Sequence, residues 1–236
     1  MSKKILVIGD SISKGVVFDE QKNKYTLIND CYFNLLSKTV NAQMINESRF
    51  GSTITDGKKS LESKMKKYDP DMVVIEFGGN DCDFLWNDIA DNPVLNHIPK
   101  TPLDIFEKQL CSMIDYIEKN NKTAILTTLP PLYADSYFKW FTEKDKQKGI
   151  RILKWLKDIW RIYWWQERYS SCISAIACKR NLHCIDVRNA FLKEQEFNQY
   201  ICKDGIHPNK AGHRLIFDTV ISFIKDKAPY LLAANC

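Results

Sequence analysis

The sequence predicts an α/β fold, a three-layer α/β/α sandwich around a five-stranded parallel sheet, and three observations carry this. Five short apolar runs rich in β-branched residues are bounded by polar or turn residues. Longer amphipathic segments separate them. Gly, Ser, Asn or Asp follow most of the runs, which suits the ends of strands in an open sheet. Strands alternating with helices make βαβ units, and these close as parallel neighbours with right-handed crossovers.

In chain order, the first strand is Ile5–Ile8, ending at Gly9-Asp10-Ser11. A helix follows at about 30–40, then the strand Gln43–Asn46 and the turn Arg49-Phe50-Gly51. A helix at 56–68 leads to Met72–Phe77, which runs into Gly78-Gly79-Asn80-Asp81. After the Pro- and aromatic-rich loop 82–102, a helix at 103–120 precedes the strand Thr123–Thr128 and the turn Leu129-Pro130-Pro131. One long helix is expected at 143–180, before the last strand, Leu182–Asp186. A closing helix runs from about Pro208 to Lys225, with Pro208 suited to its first position because that position has no use for an N–H.

The 236 residues form one expected domain, 1–236, with a variable loop at 82–102; a chain this long buries about 70–75% of its extended surface. Apolar residues at 44% and charged residues at 27% exclude disordered, collagenous and coiled-coil chains. Lys and Arg number 34 against 29 Asp and Glu, a net charge of +5, too mild and dispersed to argue for a nucleic-acid partner. No apolar run approaches the ~20 residues of a membrane span, and the run after Lys3-Lys4 stops at Gly9-Asp10, short of a signal peptide. The expected location is therefore the cytoplasm, with the eight cysteines reduced and mostly packed as small apolar side chains. The two Asn-x-Ser/Thr sequons, at Asn46 and Asn121, are then chance matches.

Ligands of open α/β sheets bind beyond the carboxyl ends of the strands, so the residues after each run bear on function. Ser11 alone is as readily a helix cap or turn residue. It becomes a candidate nucleophile only with a base, and His207 is the candidate base, three residues after Asp204. That spacing lets a carboxylate hold one ring nitrogen and leave the other free to take a proton. On the bland reading, Asp204-Gly205 is a turn and His207 only leads into the last helix. Charge developing on a carbonyl oxygen is met by fixed N–H donors. Gly51 could supply a backbone N–H and Asn80 its carboxamide, although each is also an ordinary turn residue.

Taken in order, Ile8-Gly9-Asp10-Ser11-Ile12, Arg49-Phe50-Gly51, Gly78-Gly79-Asn80-Asp81 and Asp204-Gly205-Ile206-His207-Pro208 resemble the blocks of the SGNH hydrolase superfamily, the GDSL-type esterases and lipases. The blocks span residues 8 to 209, most of the chain. The resemblance implies a flavodoxin-like sheet, Ser11 as nucleophile, and His207 as base held by Asp204. It also implies an oxyanion hole from the Ser11 and Gly51 N–H groups and the Asn80 side chain. The chain departs from the pattern after Ser11, where Ile12-Ser13-Lys14-Gly15 stands in place of a second Leu or other apolar residue.

No Gly-x-Ser-x-Gly elbow, phosphate loop or dinucleotide fingerprint occurs, and His207 and His213 lie off helical metal-ligand spacing, so neither cofactor nor metal is expected. The expected function is a carboxylic ester hydrolase acting on a small soluble acyl ester, first an O-acetylated carbohydrate. The alternatives are a thioesterase or lysophospholipase for longer chains, or a non-catalytic binding module on the same fold. Loop 82–102 is equally a surface cover or a wall over the substrate, and Arg151–Tyr169 has more tryptophans than one core stripe needs, so some are free to face a pocket or a partner subunit.

Overall fold

A computed structural model describes residues 2–143 and 145–232; Cys236 and the end of the apolar tail lie outside them. The central sheet holds β1 (Lys3–Gly9), β4 (Ala42–Asn46), β5 (Met72–Glu76), β6 (Thr123–Thr127) and β7 (His183–Ile185), in the order β4-β1-β5-β6-β7. All its neighbours pair in parallel. Counted among these five alone, that is the flavodoxin order 2-1-3-4-5, whose topological switch lies between β1 and β5. Ser11 follows β1 and Asn80 follows β5, so both lie at the switch.

Alternation along the strands sends Leu6, Ile8, Val73, Ile75, Ala124 and Leu126 to one face. There they meet α3 (Ile54–Tyr68), α5 (Leu103–Lys119) and α8 (Trp160–Lys179). Ile5, Val7, Met72, Ile125 and Ile185 point the other way, toward α2 (Tyr32–Thr39), α9 (Val187–Leu192) and α10 (Lys210–Lys227). The three layers of the sequence reading are therefore present. A further apolar cluster caps the carboxyl edge of the sheet, made by α4 (Trp86–Asp91), α6 (Ala134–Phe141), α7 (Lys146–Leu156) and the start of α8.

The structure corrects the sequence reading in several places. The segment 143–180 is two helices, broken at Lys157, where the backbone turns to φ +71° and Asp158 begins a new helix by accepting from the Trp160 N–H. The break lets α7 lie on the cap while α8 runs back along the sheet. Pro208 is not the first residue of the closing helix: Asn209 caps it, accepting from the Gly212 N–H, and Pro208 bridges Ile201 instead. Absent from the sequence reading are α4, which lies inside the segment 82–102 read as a loop, α6, α9 and an antiparallel hairpin of β2 (Val16–Asp19) and β3 (Lys24–Leu27) that follows the short helix α1 (Ser11–Lys14).

Candidate active site

The turn after β1 is fixed from both sides. Asp10 caps α1 by accepting from the Ile12 N–H at 2.9 Å, which places Ser11 at the first helical position. Gly15 ends the helix at φ +82°, with the Cys31 thiol packed where a Cβ would stand, so only glycine fits. Behind the turn lies Glu76, the last residue of β5. Its Oε2 accepts from the Asp10 N–H, the Ser13 N–H and the Ser13 hydroxyl at 3.2, 3.4 and 2.9 Å. Oε2 occupies the space above Gly9 that a side chain there would need.

Before α10, Asp204 Oδ1 accepts from the Ile206 and His207 N–H groups, both at 3.1 Å, and closes the turn on itself. Gly205 sits at φ +80°, and a Cβ there would run into the backbone of Tyr137 and Tyr133 on the cap. Its carbonyl accepts from the Tyr133 N–H at 2.7 Å, so this turn is clamped to the cap. The result is a continuous chain: Asp204 Oδ2 lies 2.6 Å from His207 Nδ1, and His207 Nε2 lies 2.9 Å from Ser11 Oγ. Asp204 and His207 are buried, so the contacts are shielded from competing water. Such a chain can move the Ser11 proton to His207 while the carboxylate steadies the imidazolium.

Gly51 takes φ +73° with open space around it, so its glycine serves the backbone turn and not a close approach. Neither its N–H nor that of Ser11 donates to another group among the described residues. Asn80 differs. Its Nδ2 donates to Asp10 Oδ2 at 3.2 Å and to the Ser52 carbonyl at 3.1 Å, one acceptor for each N–H. To serve an oxyanion it must exchange one of these long bonds. Asp81 beside it is structural: both its oxygens face the Ile54 N–H, at 3.0 and 3.2 Å, and hold the start of α3. Burial pushes Asp10 and Asp81 up to about 6 each, and Glu76, next to Asp10, well above its ordinary value.

Several site residues escaped the sequence reading. Tyr25, carried by the hairpin, lies 5.1 Å from the His207 ring, and Phe50 stacks on that ring at 6.1 Å and 7°. Burial and the nearby Asp204 carboxylate push the Tyr25 phenol up. Phe50 adjoins Gly51, the one signal that could have flagged it; Tyr25 has no such signal. A pocket of about 130 Å³ opens beside Ser11, walled by Phe84, Trp86, Tyr137, Ile162 and Trp165. Segment 82–102 thus supplies two walls through Phe84 and Trp86, while His97 lines neither this pocket nor the next. Past Tyr25 and Trp86 the pocket meets an open groove of about 1120 Å³ with Trp140, Asn23 and Asn87 on its sides. Among the described residues no acidic, His or Cys cluster is set to hold a metal, and no helix is long and apolar enough to cross a membrane.

An arylesterase from Vibrio mimicus is 28% identical over 142 residues, a stretch that spans 59% of this chain and 62% of that protein. The fold is shared with the lipase/acylhydrolase from Enterococcus faecalis, with a TM-score of 0.66 and 23% identity over 95% of this chain and 96% of the other. It is shared equally with a catalytic mutant of an acetylxylan esterase from Geobacillus stearothermophilus, at 0.64 and 20% over 95% of each chain. At these identities the likeness is one of fold. The sequence itself matches one family over residues 7–215, nearly its whole length: the chain belongs to the GDSL-like lipase/acylhydrolase family.

Proposed function

We propose that the protein is a serine esterase that cleaves the ester of a small substrate through an acyl-enzyme, with an O-acetylated carbohydrate as the preferred class. The hydrogen-bonded chain from Asp204 through His207 to Ser11 is the observation that carries this reading. His207 takes the Ser11 proton as Oγ attacks the carbonyl carbon, then returns it to the leaving alcohol. Water, deprotonated by His207, attacks the acyl-Ser11 carbonyl, and the acid leaves as Ser11 regains its proton. The Ser11 and Gly51 N–H groups meet the oxyanion, and Asn80 joins them by giving up Asp10 or Ser52.

The acyl group is short on this reading. A pocket of about 130 Å³ walled by Phe84, Trp86 and Trp165 suits a short acyl group better than a fatty chain, which disfavours the thioesterase and lysophospholipase alternatives. The groove beyond it is lined by aromatic residues together with amide and charged side chains, a mixture that suits a polar alcohol such as a sugar. A series of p-nitrophenyl esters of rising chain length tests the acyl assignment: acetate and propionate should give the highest kcat/KM, and a maximum at octanoate or beyond would refute it. Release of acetate from an acetylated oligosaccharide tests the alcohol. Failure of a fluorophosphonate to label the folded protein would instead favour a binding module.

A further inference from the structure

On the other side of the nucleophile turn lies a second cavity, of about 170 Å³, between the sheet and the layer of α2 and α10. It shares only Ile12 with the pocket at Ser11. Most of its wall is aliphatic, including Val74 and Ile125 of the sheet and Val220 of α10. An engineered apolar cavity of about 150 Å³ is enough to take up benzene, so this one has room for a ring or a short chain.

Polar groups line it as well, Thr123, His183 and Lys227 among them, and two others form a buried pair. Glu76 and Thr127 both line it and are 4% and 6% exposed. They neighbour each other on adjacent strands, one position beyond the parallel pair Ile75–Leu126, and so share a face. Glu76 Oε1 and Thr127 Oγ1 are buried without a hydrogen-bond partner among the described residues. Buried polar atoms in native folds are nearly always paired, so two neighbouring unpaired oxygens facing one cavity are open to a polar ligand or a water. Burial and the neighbouring Asp10 push the Glu76 carboxyl well above its ordinary value, toward the protonated form. Three donors already point at Oε2, so Oε1 is the oxygen that carries the proton of the neutral form.

The buried pair therefore presents an O–H donor beside a threonine hydroxyl, under an apolar vault. A hydrocarbon would leave both unpaired. A carboxylate would bring a second charge next to Asp10, and an ammonium could not accept from Glu76. We propose that this cavity is a binding site for a small neutral alcohol, its hydroxyl between Glu76 and Thr127 and its body against Val74, Ile125 and Val220. The alcohol oxygen accepts from Glu76 Oε1 and its O–H donates to Thr127 Oγ1.

Benzyl alcohol and toluene, which share a ring and differ by the hydroxyl, are the probes, followed by ligand-observed NMR titration of the full chain. Benzyl alcohol should saturate one site and bind roughly three- to tenfold tighter than toluene, the value of about one buried hydrogen bond. Thr127→Val should weaken benzyl alcohol by a similar factor and leave toluene unchanged. Val220→Phe, which fills the cavity from α10, should abolish binding of both. Absence of saturation, equal affinity for the two probes, or binding that survives Val220→Phe, which would place it in the Ser11 pocket, overturns the proposal. Should Val220→Phe fail to fold, a wild-type crystal soaked in benzyl alcohol decides. A hydroxyl between Glu76 and Thr127 supports the site, and water alone there refutes it.

Discussion

Asp204 has two jobs in the same turn: Oδ1 ties down two backbone N–H groups and Oδ2 holds the His207 ring. Asp204→Asn, with its amide oxygen kept on the two backbone N–H groups, puts an NH2 donor against Nδ1 and favours the wrong tautomer. Its kcat should fall by up to ~10⁴-fold with the fold retained, as when the orienting carboxylate of a serine triad is lost. A loss below tenfold in steady-state kinetics would reduce Asp204 to a turn residue. Asn80 is the subtler case, because its carboxamide is already bonded to Asp10 and Ser52. If it also donates to the oxyanion, Asn80→Ala should lower kcat by ~10²–10³-fold with little change in KM. Asn80→Asp should be at least as damaging, since it sets a carboxylate against Asp10 and the oxyanion. Near-normal kcat in the aspartate variant at normal melting temperature would remove Asn80 from catalysis. Asn80 was legible in the sequence because it closely follows a strand, and Asp204 because it stands three residues before a histidine. Their second partners were not: nothing in the spacing of Asp10 and Asn80 says that they touch.

The elements that carry the site are two turns with different demands on glycine, and the difference is testable. Gly205 has a positive φ and the Tyr133–Tyr137 backbone against it, whereas Gly51 has a positive φ and open space. Gly51→Ala should cost about 1–2 kcal/mol of stability from backbone strain alone and retain most activity, because its N–H survives. Gly205→Ala should cost more in urea unfolding and also lower kcat, because the turn bearing Asp204 and His207 must leave the cap. Equal behaviour of the two variants would contradict this account. In the cap, Trp165→Ala should enlarge the pocket beside Ser11 and, if the acyl group lies there, move the best p-nitrophenyl ester toward longer chains. The sheet strands and most flanking helices were readable from periodicity because each buries one face against its neighbours. The break at Lys157 was not, since apolar residues continue through it and only Asp158, capping Trp160, betrays a new start. The hairpin was also hidden: strands of four residues carry too little alternation to stand out.

Across the whole molecule, the carboxyl edge of the sheet concentrates buried acids, Asp10, Glu76 and Asp81, all with raised pKa values. An acid whose folded pKa is raised takes up a proton on folding. The stability it confers is complete below its unfolded pKa, 4.5 for Glu76, and is lost as pH rises toward the folded value. Within that window the Glu76 contribution declines by about 1.4 kcal/mol per pH unit. Glu76→Gln, which mimics the neutral acid, lacks this slope. Its unfolding free energy relative to wild type should therefore improve between pH 5 and pH 7, and an unchanged difference would mean that Glu76 does not hold the proton. The parallel order and three layers followed from alternation of strands and helices alone, whereas the cap over the site did not. It is built from segments whose apolar residues read equally well as surface cover or as core, and only the tertiary fold brings Phe84, Tyr137 and Ile162 into one cluster.

The central claim is that Ser11 is the nucleophile of an acyl-enzyme, and a rapid-mixing experiment with p-nitrophenyl acetate tests it most directly. The account predicts a burst of about one equivalent of p-nitrophenol per chain, with the acetyl group found by acid-quench peptide mass analysis on the peptide containing Ser11. Ser11→Ala should show neither burst nor acetylation while keeping its circular dichroism spectrum. Acetyl transfer to another residue, or wild-type turnover in the alanine variant, would contradict it.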